Sequence, residues 1–455
     1  MAIKIEKNRE FLQDLREAIK AGDEKRALSL INDFHAADIA EIYDEISTEE
    51  ARFLYLLLDS EKAADTVAEL DEDDREEFLK HIPSEVIAHQ FIDNMDTDDA
   101  ADVIADLSVQ KQQEVLKHID DIDHSGDIVD LMSYDEDTAG GLMAKELVVV
   151  NQTWTVLTCL KELGRQADEV DEVYYLYVVD DDRLLKGIVS LKDLAISKNT
   201  TIISNVMKTD VHYVTVDDGA EDVALMMEKY DLVAIPVVDA IGRLMGRITI
   251  DDVVDVIREE AERDYQLASG LTEDVEHSDK VFRITRARLP WLFIGMVGGV
   301  LGALVLARFE GDLKIYPEMA FFIPLIAAMG GNVGIQSSAI IVQGLASNTY
   351  KIDGVGSKLG KEFMVALLNA SILAILILGY NLLVSDSFAL TITVSVALMA
   401  VIVFAAMFGT LIPLLLNRFK IDPALATGPF ITTANDILGL MIYMLIGRVL
   451  YGVFA

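Results

Sequence analysis

Cysteine is almost absent from this 455-residue chain. Cys159 is the only one, so no intramolecular disulfide can form. Bases are also scarce: 38 Lys and Arg stand against 76 Asp and Glu, a formal net charge of −38. Such a surface repels nucleic-acid phosphates and anionic lipid heads, which argues against nucleic acid as a partner, and it requires counter-cations, diffuse or bound. The opening MAIKIEKNREFLQDL is charged and amphipathic and lacks the apolar core of a secretory leader. No nucleophile–base arrangement or phosphate loop supports an enzyme.

What the chain does have is segregated. Hydrophobic residues make up 52% of it. From Glu276 onward there are ten acids and twelve bases, a balance of +2, so residues 1–275 hold 66 acids and 26 bases, a balance of −40. A strongly acidic soluble region is joined to a nearly neutral apolar one. The apolar runs lie at 290–307, 319–345, 363–384, 388–416 and 425–451, close to or above the ~20 residues that a spanning helix needs. Arg283, Arg286 and Arg288 precede the first run. Lys351, Lys358 and Lys361 follow the second, and Arg418 and Lys420 follow the fourth, whereas the loop after the third has only Asp386. By the positive-inside rule this predicts five spans in the plasma (cytoplasmic, inner) membrane, with the N-terminus in the cytoplasm and the C-terminus outside.

Asp436 is the sole charged residue of the stretch Leu425–Gly447. An ionised carboxylate in hydrocarbon is costly, so such a residue faces a wet cavity or the bundle interior and marks an ion or proton path. The plainer reading is a protonated Asp bonded to a neighbouring helix. Two runs are rich in Gly and polar groups: Met329-Gly-Gly-Asn-Val-Gly-Ile-Gln-Ser337 and Gly428-Pro-Phe-Ile-Thr-Thr-Ala-Asn-Asp436. Glycine serves helix packing. The amides and hydroxyls of Asn332, Gln336, Thr432, Thr433 and Asn435 favour a water-lined path, and the Thr432 carbonyl, one turn before Asp436, is expected to point into the same space.

In the acidic region, Ala-Ala-Asp recurs at 36–38, 63–65 and 100–102, and Leu-Lys-His-Ile at 79–82 and 116–119. This predicts a short helical solenoid over 1–135. A clearer duplication follows. Tyr177-Val-Val-Asp180 … Gly187-Ile-Val-Ser190-Leu-Lys-Asp193 matches Pro236-Val-Val-Asp239 … Gly246-Arg-Ile-Thr249-Ile-Asp-Asp252, offset by 59 residues. Each copy reads as strand, helix, two strands and helix, and the pair resembles tandem CBS modules, here 136–198 and 199–257. That resemblance implies an adenine nucleotide such as ATP, held through Ser190 and Asp193 or Thr249 and Asp252. The competing reading is that these residues only cap helices. The stretch 251–270 predicts a connecting helix, assigned with its tail to 258–282, and 283–455 is the membrane region. Asp252, Asp255, Glu259 and Glu262 share one helical face and repel unless a cation meets them.

An acidic superhelical all-α domain, an α/β CBS pair, an acidic connecting (plug) helix and an all-α polytopic domain of five helices, in that order, resemble the MgtE family of magnesium channels and transporters. The resemblance covers essentially the whole chain and rests most on the two motifs quoted above. The family usually has a polar residue where Ile335 stands. The resemblance implies a homodimer whose pore is lined by the second and fifth spans, with Asp436 from each subunit holding hydrated Mg²⁺. It implies uptake gated by intracellular Mg²⁺ at Glu221, Asp231, Asp252, Asp255, Glu260, Asp264 and Asp422, with Asp98, Asp99 and Asp102 added from the helical domain. Arg263 stands where the family has an acid. The alternatives are a path for Mn²⁺ or Co²⁺, or a non-conducting membrane-anchored CBS sensor. The lack of His and Cys in the spans and the Gly/Asn/Asp-rich motifs weigh against them.

Overall fold

Polar caps cut the N-terminal region into short helices. Ser47 and Glu50 form a capping box on Thr48–Tyr55, while Asp59 caps Ser60–Ala68 and Asp121 caps Ile122–Leu131. The longest of these helices has 13 residues, too short to be stable alone. They are held by a shared core in which Tyr55, Phe78 and Phe91 pack ring to ring. The repeated Ala pairs are part of it: Ala63, Ala64 and Ala100 are fully buried, so the sequence echo marks close helix approach. The computed structural model describes residues 9–166, 170, 173–272, 275, 280–346, 355–426 and 428–454. Its two compact units are Met1–Arg258 and Glu259–Ala455.

The CBS pair contains two sheets of three strands. Strands β1 (Val148–Asn151), β2 (Leu176–Val179) and β3 (Leu185–Val189) form one, and β4 (Val214–Thr215), β5 (Ala234–Val238) and β6 (Leu244–Thr249) the other. In each, the first pair is parallel and the second antiparallel. The 59-residue offset survives as register, with Val178 opposite Gly187 and Val237 opposite Gly246. Core residues of the helical domain, Ile104 and Leu131, belong to the same buried cluster as Val214, Ile235 and Ile248 of the second sheet.

The modules are less separable than their sequence boundaries at 198 and 199 imply. Ala144, from the start of the first copy, exchanges backbone hydrogen bonds with Arg247 of β6 (2.8 and 3.0 Å). Lys208, from the start of the second, does the same with Ile188 of β3 (2.9 and 3.0 Å). Each copy thus lends its leading segment to the other's sheet. The matched glycines permit this: an ideal Cβ on Gly187 would lie 2.5 Å from the Lys208 carbonyl oxygen, and one on Gly246 2.6 Å from that of Ala144.

The second unit contains five helices long and apolar enough to span: Val281–Arg308, Pro317–Leu345, Gly356–Val384, Phe388–Arg418 and Pro429–Phe454. The first helix begins before the apolar run and carries Arg283, Arg286 and Arg288 on its leading turns. The fourth forms the centre, with 61% of its apolar window buried against 6% for the first. Around it pack Ile326, Ala370, Tyr443 and Met444. The Tyr443 hydroxyl donates to the Met319 carbonyl at 2.9 Å, and that of Tyr451 to Glu318 at 3.1 Å, joining the fifth span to the start of the second.

Gly246→Val drives a branched side chain into a backbone carbonyl. The expected cost is about 1–3 kcal/mol, read as a fall of ~2–4 °C per kcal/mol in the unfolding midpoint of the soluble unit. Gly164→Ala, at a glycine with open space around it, should not lower the midpoint.

Candidate functional site

Pro429 opens the fifth span, where its missing N–H is no loss. Thr432 and Asp436 follow one turn apart, both half-buried. They face Gly331 of the second span, whose ideal Cβ would sit 3.2 Å from Thr432 Cγ2 and 3.7 Å from Asp436 Oδ1. The carboxylate therefore lies against bare backbone. Because Thr432 lies in a regular helix, its carbonyl serves the Asp436 amide, and its second lone pair is what remains for a ligand. Asn332 and Gln336, also one turn apart, lie on an exposed face of the second span. Asn435 lies elsewhere. It is 1% exposed and fills the space that Gly334 leaves, where a Cβ would collide with its amide. The structure thus joins Thr432, Asp436 and Gly331 and puts Asn435 in the helix contact. Arg448, a base further along the same helix, lies 4.0 Å from Asp312.

At the foot of this span, Asp422 accepts from the Ala424 N–H at 2.8 Å. The connecting helix, Ile250–Ser269, ends beside it: a Cβ on Gly428 would collide with the Ala268 carbonyl. Thr272 donates to the Ala287 carbonyl of the first span at 3.1 Å from both its amide and its hydroxyl. Burial raises the Asp264 carboxyl above its ordinary range, and the charges of Asp422 and Glu260 add to this, against the opposing pull of Arg263. Glu260 is 3.2 Å from Arg263, so this base neutralises part of the acidic face.

A second acidic site lies between the helical domain and the CBS pair. Asp98, Asp99 and Asp102 lie on the helix Thr97–Ala105. Burial and then Asp99, Asp252 and Glu146 push Asp98 well above its ordinary value. Asp99 and Asp102 remain in reach of solvent, yet the surrounding protein and neighbouring acids push each to about 7. Burial also raises Asp252, although two hydrogen bonds from Thr249 oppose it. Asp96, Asp98 and Glu146 bring carboxylate oxygens within 4.8 Å of one another. Thr97 positions Glu146 by donating from its amide (3.2 Å) and hydroxyl (2.8 Å). Beside this site a cavity of about 270 Å³ is lined by Asp102, Gln112, Tyr134 and Glu136. Asp96, Glu136 and Glu146 escape a reading of the sequence because they lack a motif of their own. Glu221, Asp231 and Asp255 are exposed and belong to neither of the two close metal-capable groups found among the described residues.

Both Ser/Thr-x-x-Asp motifs act as caps. Ser190 Oγ donates to Asp193 Oδ2 at 2.7 Å and accepts from the Asp193 amide at 3.1 Å. Thr249 donates to Asp252 Oδ2 from its hydroxyl at 2.7 Å and its amide at 2.9 Å. Each hydroxyl proton is thus engaged, though a ligand could compete for it. The polar groups buried nearby in the strands are Tyr177, whose hydroxyl has no hydrogen-bond partner among the described residues, and Arg247, 5% exposed. A lone Arg in an otherwise apolar strand is the signal that finds the second.

The raised carboxyls set a pH dependence. With Asp99 and Asp102 titrating near 7 in the fold and near ~4 when unfolded, the native state binds more protons between those values, so their contribution to stability falls as pH rises through that window. Without divalent cations, the unfolding midpoint should be lower at about pH 8 than at about pH 6, and Asp99→Asn with Asp102→Asn should shrink the difference.

Residues 323–446 match the MgtE family, described as a divalent cation transporter, residues 34–137 match the MgtE intracellular N domain, and residues 139–197 and 203–259 match CBS domains. The chain is 33% identical over 442 residues to the magnesium transporter MgtE of Thermus thermophilus, covering 96% of this chain and 97% of that protein. It is 33% identical to the Bacillus subtilis magnesium transporter MgtE over 69% of each chain. Among solved structures, the cytosolic domain of the Mg²⁺ channel MgtE in complex with ATP is 34% identical with a TM-score of 0.51, covering 54% of this chain and 99% of that one. With a 33% identical relative matched over nearly its full length, the chain belongs to the MgtE family.

Proposed function

We propose that this multi-pass membrane protein conducts Mg²⁺ and that Mg²⁺ bound to its acidic regions closes the path. The observation that carries the transport reading is the seat of Asp436, a carboxylate held with Thr432 against the bare backbone of Gly331 in an apolar bundle. Mg²⁺ sheds its water reluctantly and is bound through that shell by one or two carboxylates. Asp436 from each protomer of a homodimer would supply two. Thr432, Asn332 and Gln336 would receive outer water molecules, while Asn435 fixes the helix contact. In this reading the soluble region and N-terminus are cytoplasmic and the C-terminus is outside.

The gating reading rests on carboxylates raised by burial and by neighbouring acids, Asp98, Asp99, Asp102 and Asp252 at one place and Asp264, facing the charge of Asp422, at another. A dication there relieves repulsion and favours the compact state by its differential affinity. Glu221, Asp231, Asp255 and Glu260 extend this acidic surface. For the CBS pair we infer an adenine nucleotide, supported by the ATP complex of the similar cytosolic domain and by the buried Tyr177 and Arg247.

Asp436→Ala should abolish Mg²⁺ flux into liposomes while the protein stays folded and dimeric; full flux would remove Asp436 from the path. Parallel assays with Mn²⁺ and Co²⁺ measure selectivity. Millimolar Mg²⁺ should protect the soluble region from protease and raise its unfolding midpoint, more at about pH 8 than at about pH 6, where fewer carboxylates are protonated. Absence of protection alongside normal flux would remove the gate and keep the channel.

A further inference from the structure

Away from these acids, the helical domain brings an imidazole and two carboxylates together. His89 lies in the last turn of Ser84–Gln90, Asp93 in the single turn Ile92–Asn94, and Asp120 in the connection before Ile122–Leu131. His89 Nδ1 is 2.9 Å from Asp93 Oδ2 and 3.6 Å from Asp120 Oδ2, and the three ligand atoms lie within 4.8 Å of one another. The loop is set by a hydrogen bond from the Asp120 amide to Asp93 Oδ1 (3.3 Å), which leaves Oδ2 turned toward the ring. The Asn94 side chain donates to the His89 carbonyl at 3.0 Å, tying the same turn.

An ion pair accounts for only part of this. The nitrogen carries at most one proton, and the 2.9 Å contact to Asp93 uses it. The Asp120 carboxylate at 3.6 Å is then drawn by the charge of the ring alone, with no hydrogen bond to Nδ1 of its own. One cation can serve all three atoms. Bonds of about 2.0–2.2 Å place neighbouring ligand atoms about 3–3.5 Å apart in tetrahedral or octahedral geometry, which the two separations bracket. Asp120 is mostly exposed, so the remaining positions are open to water. An imidazole also changes the preferred ion, since nitrogen donors favour late first-row dications over Mg²⁺.

We propose that His89, Asp93 and Asp120 form a site for a late first-row dication of the Zn²⁺, Co²⁺ or Ni²⁺ class, separate from the Mg²⁺ acids and independent of the transport reading. The ion clamps the turn at residues 89–94 to the following helix pair. The test uses the full chain in detergent with millimolar Mg²⁺ present to fill the oxygen-only sites, and micromolar Co²⁺ as the probe. The expected result is one Co²⁺ per chain with visible absorption bands, retained in Mg²⁺ and displaced by Zn²⁺. His89→Ala and Asp120→Asn should each weaken binding by at least the ~10-fold that loss of an outer-shell partner costs. Asp120→Asn is the control for folding, because the loop hydrogen bond uses the backbone amide; both variants should show wild-type circular dichroism. Co²⁺ bands removed by Mg²⁺, or unchanged in both folded variants, would overturn the site. Loss in His89→Ala with full retention in Asp120→Asn would also overturn it as drawn.

Discussion

Carboxylates buried side by side, with their mutual repulsion short of counter-charge, are the constraint on which the soluble half of this protein turns. The helix Thr97–Ala105 presents Asp98, Asp99 and Asp102 toward a region that already contains Glu146 and Asp252. Arg75 is the base that opposes them, and its bond to Asp106 at 2.6 Å commits it to a neighbouring carboxylate. An apolar core shared between the helical domain and the second sheet keeps these acids together. A hydrophobic cluster thus imposes an electrostatic cost whose size depends on protons and cations in the surrounding solution. The same atoms are therefore less stable together in one medium than in another.

In the membrane unit the governing device is the absence of side chains. Gly331 leaves room beside Asp436, Gly334 makes room for the Asn435 amide, and Gly409 packs directly on the Gly334 backbone. The second span therefore touches the fourth and fifth at main-chain distance, where van der Waals contact and polar groups replace the hydrophobic effect as the source of adhesion. The charge sits at the edge of this tight contact, so its position is set by helix packing.

Much of this was legible in the sequence, for reasons that can be named. The CBS duplication was visible because strand register preserves a constant offset, and the matched glycines are required in both copies. Asp436 stood out because charge is rare in apolar runs. The inward turn of Asn435 is not apparent from its nearness in sequence to the other polar groups: 432 and 436 lie within about 40° of each other, whereas 435 is turned about 100° from 436. Glu146 reaches the acidic site through Thr97, 49 residues earlier, and no local pattern announces such a pairing. The exchange of leading segments was hidden for the same reason. The first span begins at Val281 because helices extend into water beyond the apolar stretch; hydropathy marks the hydrocarbon depth, not the helix.

The reciprocal exchange of leading segments bears on how the helix is rooted. Strand β6 ends at Thr249 and the connecting helix begins at Ile250, so no slack separates sheet from rod. The first copy grips β6 through Ala144, and the second grips β3 through Lys208. The two sheets are therefore cross-tied, and the 20-residue helix leaves directly from the strand that the first copy holds. The pair is one hydrogen-bonded body at the root of that rod, and neither module is held in place by its own strands alone.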